Sequence, residues 1–226
     1  MTGRDSVRLV LEASTPHASV AVLRGGAVLA ESRAEMRPGA DEALMPSVDE
    51  ALRAAGVRPG DLAAVLCGAG PGGFTSLRIA AAIAKGFAHA TGCVLEAVPS
   101  LALAAAGRTA GAWLVTLDAL RGERYAARVT VDAGGLVTGY AYLGVVPDAA
   151  LNATLGTAAA GHVDANADPP RAASARLVAL GPAAVELDAW EPDYGRLAEA
   201  QARWEVAHGR PLATAVDAPA LDTAAR

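Results

Sequence analysis

The sequence predicts an α/β protein made of two lobes that share one plan, and three observations lead there. Apolar runs at Val7–Glu12, Ser19–Leu23 and Ala27–Arg33 read as an antiparallel meander, with Gly25-Gly26 as a two-residue hairpin turn between the second and third. Two further apolar runs, Leu62–Cys67 and Cys93–Val98, are joined through a helical segment, which implies a parallel βαβ crossover. The pattern then restarts. Trp113–Leu117 ends in Asp118 as the first run ends in Glu12, Arg121-Gly122 makes a turn, and Arg124–Val131 and Leu136–Leu143 follow as strands.

In chain order, the first turn, Glu12-Ala13-Ser14-Thr15-Pro16-His17, sets a carboxylate and two hydroxyls at the end of an apolar strand. That is the chemistry of a phosphate or metal-water contact, and equally of an ordinary polar turn. Asp41–Ala55 reads as an amphipathic helix with Leu44, Val48, Ala51, Leu52 and Ala55 on one face, Met45 beside it, and Asp49 and Arg53 opposite. Pro46 suits its first turn and Gly56 stops it.

Cys67-Gly68-Ala69-Gly70-Pro71-Gly72-Gly73-Phe74-Thr75 is the stretch around which the rest is organised. Glycines let backbone amides turn towards an anion or let another backbone come close, and Thr75 could cap the helix that follows. A phosphate cradle and a tight packing corner both fit. The spacing is neither a dinucleotide fingerprint nor a P-loop. From Ser76 to Thr91 the polar residues Arg78, Lys85 and His89 fall on one stripe, while Leu77, Ile79, Ile83, Phe87 and many alanines cover the rest. Such a helix needs cover on nearly every side, from a sheet and from a second helix or a second protein. Gly92 ends it.

Pro99–Gly107 reads as a short alanine-rich helix. Residues 149–175 offer little beyond a helix near their start and a loop across Asp168-Pro169-Pro170. Leu177–Leu180 reads as a short strand, and Asp193–His208 as a helix with Leu197, Ala200 and Trp204 on one face.

Composition limits the function classes. With 53% hydrophobic and 19% charged residues in 226, the chain is globular, and its net charge of −5 argues against gripping nucleic acid through a broad basic surface of its own. No stretch reaches the length of a membrane span and the first apolar run is too short for a signal peptide, so a cytoplasmic protein is expected. Cys67 and Cys93 lie in or beside apolar runs and read as buried free thiols. The histidines, His17, His89, His162 and His208, include no pair at helical spacing, so no metal is expected.

Gly70-Pro71-Gly72-Gly73-Phe74-Thr75-Ser76-Leu77-Arg78 resembles the Gly-Pro-Gly-Ser-Phe-Thr-Gly-x-Arg segment of the TsaB (YeaZ) family. Further segments agree in order: Leu9–Val22 with the family's first hairpin, Leu44-Met45-Pro46 with its Leu-Leu-Pro helix, Asp118–Tyr125 with its Asp-Ala-Arg-x-Gly-Glu-x-Tyr hairpin, and Pro192–Arg196 with its Pro-x-Tyr-x-Arg. The resemblance implies an α/β, actin-like and Hsp70-like (ASKHA) two-lobed fold with a duplicated βββαβα core. On that plan residues 1–100 form the N-terminal lobe, 101–211 the C-terminal lobe and 212–226 a frayed tail.

It implies a catalytically silent scaffold, paired with a TsaD-like catalytic subunit and a TsaE-like ATPase. The assembly transfers a threonylcarbamoyl group to N6 of the adenosine beside the tRNA anticodon, with tRNA met only through the complex. Alone, the chain is expected to homodimerise. The partner interface is expected at Leu44, Met45, Val48, Leu52, Arg78, Ile79, Ile83 and Phe87, and Asp118 is the cleft carboxylate. Ser14, Thr15, Gly70, Gly72, Gly73 and Thr75 are the candidate phosphate or nucleotide contacts, with ATP or ADP at the complex interface as the one cofactor considered. Departures from the family pattern are Glu12 for Asp, Ala13 for Thr, Gly73 for a small hydroxyl residue, Ser76 for Gly, and Gly195 for an apolar residue. The alternative is an enzyme acting alone, such as a small-molecule kinase of the same superfamily with Asp118 as base.

Overall fold

In a computed structural model, residues 6–36, 43–151, 160–181, 183–195 and 207–209 are described. Residues 6–195 belong to one unit. Its first sheet is entered by β1 (Val7–Glu12), β2 (His17–Arg24) and β3 (Ala27–Glu35), the expected meander with its turn at Gly25-Gly26. Helix α1 (Leu44–Ala55), β4 (Ala64–Gly68), α2 (Phe74–Thr91) and β5 (Val94–Val98) follow. β4 lies parallel to β1 and β5 parallel to β4, as the crossover requires. Gly56 and Gly92 end the two helices in the left-handed conformation that a Cβ disfavours.

The second sheet repeats the opening of the first. β6 (Gly111–Asp118), β7 (Glu123–Val131) and β8 (Val137–Pro147) form a meander, and β9 (Gly161–Asp164) lies parallel to β6. The orders are β3-β2-β1-β4-β5 and β8-β7-β6-β9, so Glu12 and Asp118 end equivalent strands. A two-residue strand from the second half, β10 (Ala183–Ala184), pairs antiparallel with β5 and closes that edge.

Between the sheets runs α3 (Ser100–Ala105), every residue of which is buried. Leu101, Ala102, Ala104 and Ala105 pack with Val115, Leu117, Ala127 and Val129 of the second sheet. Leu103 joins Val10, Ala21, Leu66 and Val98 on the inner face of the first. The outer face of the first sheet, with Leu9, Leu11, Val20, Val22 and Val65, takes α1 and α2. Serine pairs fasten α1 to β3: Ser32 Oγ donates to the Ser47 carbonyl (2.6 Å), and Ser47 Oγ donates to the Arg33 carbonyl (3.2 Å).

The structure corrects four expectations about elements. β8 does not stop at Leu143, because Leu143-Gly144 forms a bulge with Gly144 at φ 89° and the ladder resumes beyond it. The strand expected at Leu177–Leu180 is the end of a 3-10 helix, Ala172–Leu177, followed by a single bridge from Val178 to Val137. β9 lies in a stretch where no strand is predicted; four residues are too few for periodicity to show.

The helix expected from Asp193 does not begin there. Asp193 N–H donates to the Ala69 carbonyl (2.8 Å), and Gly195 is left-handed. The rest of that expectation, and the expected tail, fall largely outside the described residues; of the separate unit 196–226, only 207–209 is described. Among the described residues no helix is long and apolar enough to cross a membrane.

Leu101→Ala is expected to cost about 3 kcal/mol of stability, as truncation of a fully enclosed leucine does. Thr138→Ala, at an exposed position of β8, should stay within about 0.5 kcal/mol of the parent in the same urea titration.

Candidate functional site

The glycine stretch makes a corner between β4 and α2, and the amides of Ala69, Gly70 and Gly73 are bonded inside the chain. Ala69 N–H donates to the Val98 carbonyl (2.7 Å), Gly70 N–H to Ser100 Oγ (3.0 Å), and Gly73 N–H to the Ser14 carbonyl (2.8 Å). The Gly70–Pro71 peptide is cis. Room is equally short. A Cβ at Gly72 would stand 2.7 Å from Ser14 Cα, and one at Gly70 would overlap the Asp193 carbonyl. The geometry has the features of the packing corner. Of the expected phosphate contacts, the Gly70 and Gly73 amides and the Ser14 carbonyl are engaged within the chain, and Gly72 packs against Ser14.

Thr15 is buried, and its hydroxyl closes a local turn with the backbone of His17 (3.1 and 3.2 Å). Thr75 does not cap α2. The helix starts two residues earlier, at Phe74, with Gly73 as its N-cap, and Thr75 is exposed in the first turn.

The third side of the corner is Pro192–Gly195. The Tyr194 ring lies 4.6 Å from Phe74 at an interplanar angle of 50°, Arg78 places its guanidinium 5.2 Å over Phe74, and Tyr125 Oη donates to the Tyr194 carbonyl (3.0 Å). Gly195 packs so close to Tyr125 and Pro71 that a Cβ would overlap the tyrosine ring. Three sequence segments far apart in the chain, around Phe74, Tyr125 and Tyr194, thus meet at one joint. Phe74 and Arg78 remain exposed on its outer side.

Of the expected interface residues, Met45 and Arg78 are exposed, and Ile79, Ile83 and Phe87 are half-buried along α2 beside the exposed Ala82 and Gly86. Leu44, Val48 and Leu52 are corrected: their side chains pack into the chain's own core, because the apolar stripe of α1 is the face turned to the sheet. A charge at Val48 would break the fold before it reached any partner.

Asp118, the expected cleft carboxylate, ends β6. It is exposed, its Oδ1 accepts the Leu120 amide (2.8 Å), and it holds a hairpin tip in which Leu120 and Arg121 take positive φ. Opposite it in the ladder, Arg124 spends its guanidinium on Asp148 and Asp164 (3.1 Å each).

The enclosed carboxylate is Glu12, 1% exposed, one oxygen of which accepts the Ser14 amide (2.7 Å) while the other has no partner. Burial pushes its carboxyl above the usual carboxylate range, and the opposing effects of the Ser14 hydroxyl and amide and the Ser100 hydroxyl do not cancel this. Burial likewise pushes up the Cys67 thiol, and the nearby Glu12 adds to this in the same direction; Cys67 is a buried free cysteine, and Cys93 is only half-buried. Among the described residues no group of three or more His, Cys, Asp or Glu could hold a metal ion.

The two sheets, each opening with a meander followed by a strand parallel to its first, define an actin-like α/β protein. Comparison with known proteins narrows the class. The family model described as "TsaD: tRNA N6-adenosine threonylcarbamoyltransferase" matches residues 39–153, about half of the chain. An uncharacterised protein of Mycobacterium tuberculosis is 38% identical over 130 residues, 54% of this chain and 59% of that one. The tRNA threonylcarbamoyladenosine biosynthesis protein TsaB of Bacillus subtilis is 32% identical over 119 residues, 52% of each. The chain thus spans little more than half the length of the curated relatives it matches. YeaZ from Pseudomonas aeruginosa superposes with a TM-score of 0.62 at 25% identity, over 76% of this chain and 90% of that one. The chain belongs to the TsaD-type tRNA N6-adenosine threonylcarbamoyltransferase family, in its TsaB (YeaZ) branch.

Gly72→Ala is expected to cost more than about 2 kcal/mol, because the methyl group meets backbone that cannot retreat without opening the corner. Gly86→Ala, where a Cβ meets nothing within 4 Å, should stabilise the chain by about 0.5–1 kcal/mol through helix propensity alone. Thermal melts of the two variants check both.

Proposed function

We propose that this chain is a non-catalytic subunit that pairs with a TsaD-type catalytic subunit. With a TsaE-type ATPase, it supports transfer of a threonylcarbamoyl group to N6 of the adenosine beside the tRNA anticodon. Family membership supports the pathway. The observation that carries the scaffold role is the outer face of α2, where Ile79, Ile83 and Phe87 are only half covered by the chain's own core and Ala82 and Gly86 leave the backbone approachable. A helix offered in this way suits close packing against another helix.

Catalytic silence is supported by the state of the two candidate carboxylates. Glu12 is sealed behind Ser14 and Ser100, and Asp118 is committed to its hairpin. The tRNA is met through the complex, in keeping with a net charge of −5. ATP or ADP belongs, on this reading, at the interface with the partner, since the corner of this chain spends its amides internally. Alone, the same α2 face closes on a second copy.

Ala82→Glu tests this most cleanly, because Ala82 is exposed and the substitution spares the monomer's core. A charge desolvated in such an interface should weaken pairing with the TsaD-type subunit by about 3 kcal/mol, more than a hundredfold, with the melting temperature of the isolated chain unchanged. Asp118→Asn should leave both pairing and threonylcarbamoyl transfer within about twofold of the parent. Full pairing by Ala82→Glu in gel filtration would remove the interface assignment. A loss of transfer by Asp118→Asn equal to omitting the subunit would place chemistry on this chain.

A further inference from the structure

Glu12 is a buried acid that the scaffold role does not use. It ends β1 on the inner face of the first sheet, where Ser100 opens α3, Gly68 ends β4 and the turn through Ser14 begins. A Cβ at Gly68 would fall 2.8 Å from Ser100 Oγ and would overlap Glu12 Oε2, so the carboxyl fills the space that this glycine leaves. Oε1 accepts the Ser14 amide, and Oε2 is buried with no acceptor or donor bonded to it. The groups facing the carboxyl are Ser14 and Ser100 and, across the β1–β2 ladder, Ser19, with the Cys67 thiol near by on the other face of the sheet; no arginine, lysine or histidine among the described residues offsets a charge there.

A carboxylate in this setting has lost its water without gaining a cation, and the way to relieve that cost is to keep its proton. The group is also wired to the corner. The Ser14 amide is held by Glu12 Oε1, the Ser14 carbonyl holds the Gly73 amide, and the Gly73 carbonyl accepts from the Leu77 amide (3.0 Å) and from Ser76 Oγ (3.1 Å) in the first turn of α2. We infer that Glu12 is a proton-dependent latch: protonated, it lets the first turn close on the glycine corner and seat the start of α2, and ionisation loosens that joint.

The sign follows from linkage. The unfolded chain releases this proton near 4.5 and the folded chain holds it to higher pH. The latch therefore contributes fully below the unfolded value and is lost as pH rises from there through the folded value. Across that window, up to the folded pKa, the folding equilibrium constant should fall as much as tenfold per pH unit from this one group. In Glu12→Gln the amide keeps the shape and cannot ionise, so that part of the dependence should vanish.

Urea unfolding of the parent and Glu12→Gln from pH 4.5 to 8 gives a difference curve in which other groups cancel. The expected curve shows the variant gaining on the parent as pH rises. Gly73 amide exchange in the parent should accelerate over the variant's by the same trend. The carboxyl 13C resonance of Glu12 in the intact parent needs no variant, and should titrate well above the ordinary range. A flat or oppositely sloped difference curve, or a Glu12 resonance titrating at or below the ordinary carboxylate value, would overturn the latch. So would protection of the parent at high pH by added cations, which would mean an ionised, metal-paired Glu12.

Discussion

The contact on which this molecule depends is the one between the Ser14 carbonyl and the Gly73 amide. At that point the first hairpin of the chain touches the start of α2 with no side chain between them, and Gly72 makes the approach possible. On one side the contact leads to Glu12 and the end of β1. On the other it fixes the N-cap of α2, and with it the positions of Phe74 and Arg78. Tyr194 and Gly195 then cover the corner and tie it through Tyr125 to the second sheet. The joint links both halves of the chain and is made largely by backbone, so its tolerance for substitution is set by volume more than by polarity.

A glycine-rich turn before a helix is usually read as a seat for an anion, because free amides and the helix dipole point the same way. Here the Ala69, Gly70 and Gly73 amides are spent. Val98, Ser100 and Ser14 accept those amides, and the Asp193 carbonyl packs against Gly70. The same composition that can cradle a ligand serves to let three pieces of backbone meet. What remains at the surface is the outer side of α2, where the half-covered Ile79, Ile83 and Phe87 flank the exposed Arg78, Ala82, Gly86 and His89.

Much of the fold could be read from residue patterns, and the failures have identifiable causes. Gly56 and Gly92 mark helix ends correctly because a left-handed cap is a local requirement. Gly144 misleads for the same local reason: it looks like a strand end, and only the ladder with β7 shows it to be a bulge. Asp193 begins a helical periodicity, yet its amide is taken by Ala69, more than a hundred residues away, and no window of sequence records that. The candidate site was legible in part. The Cys67–Thr75 stretch was recognisable as the organising element, whereas the apolar stripe of α1 could not tell its own sheet from a partner. Glu12 and Asp118 look alike as strand-ending carboxylates, and only burial separates them.

The claim that the corner is a closed joint and not a phosphate seat is open to direct test. Pyrophosphate and ADP, each titrated onto the 15N-labelled chain, should leave the amide resonances of Ala69, Gly70 and Gly73 in place at millimolar ligand, because those amides are bonded within the chain. Saturable shifts confined to these three amides would contradict the account and restore the cradle.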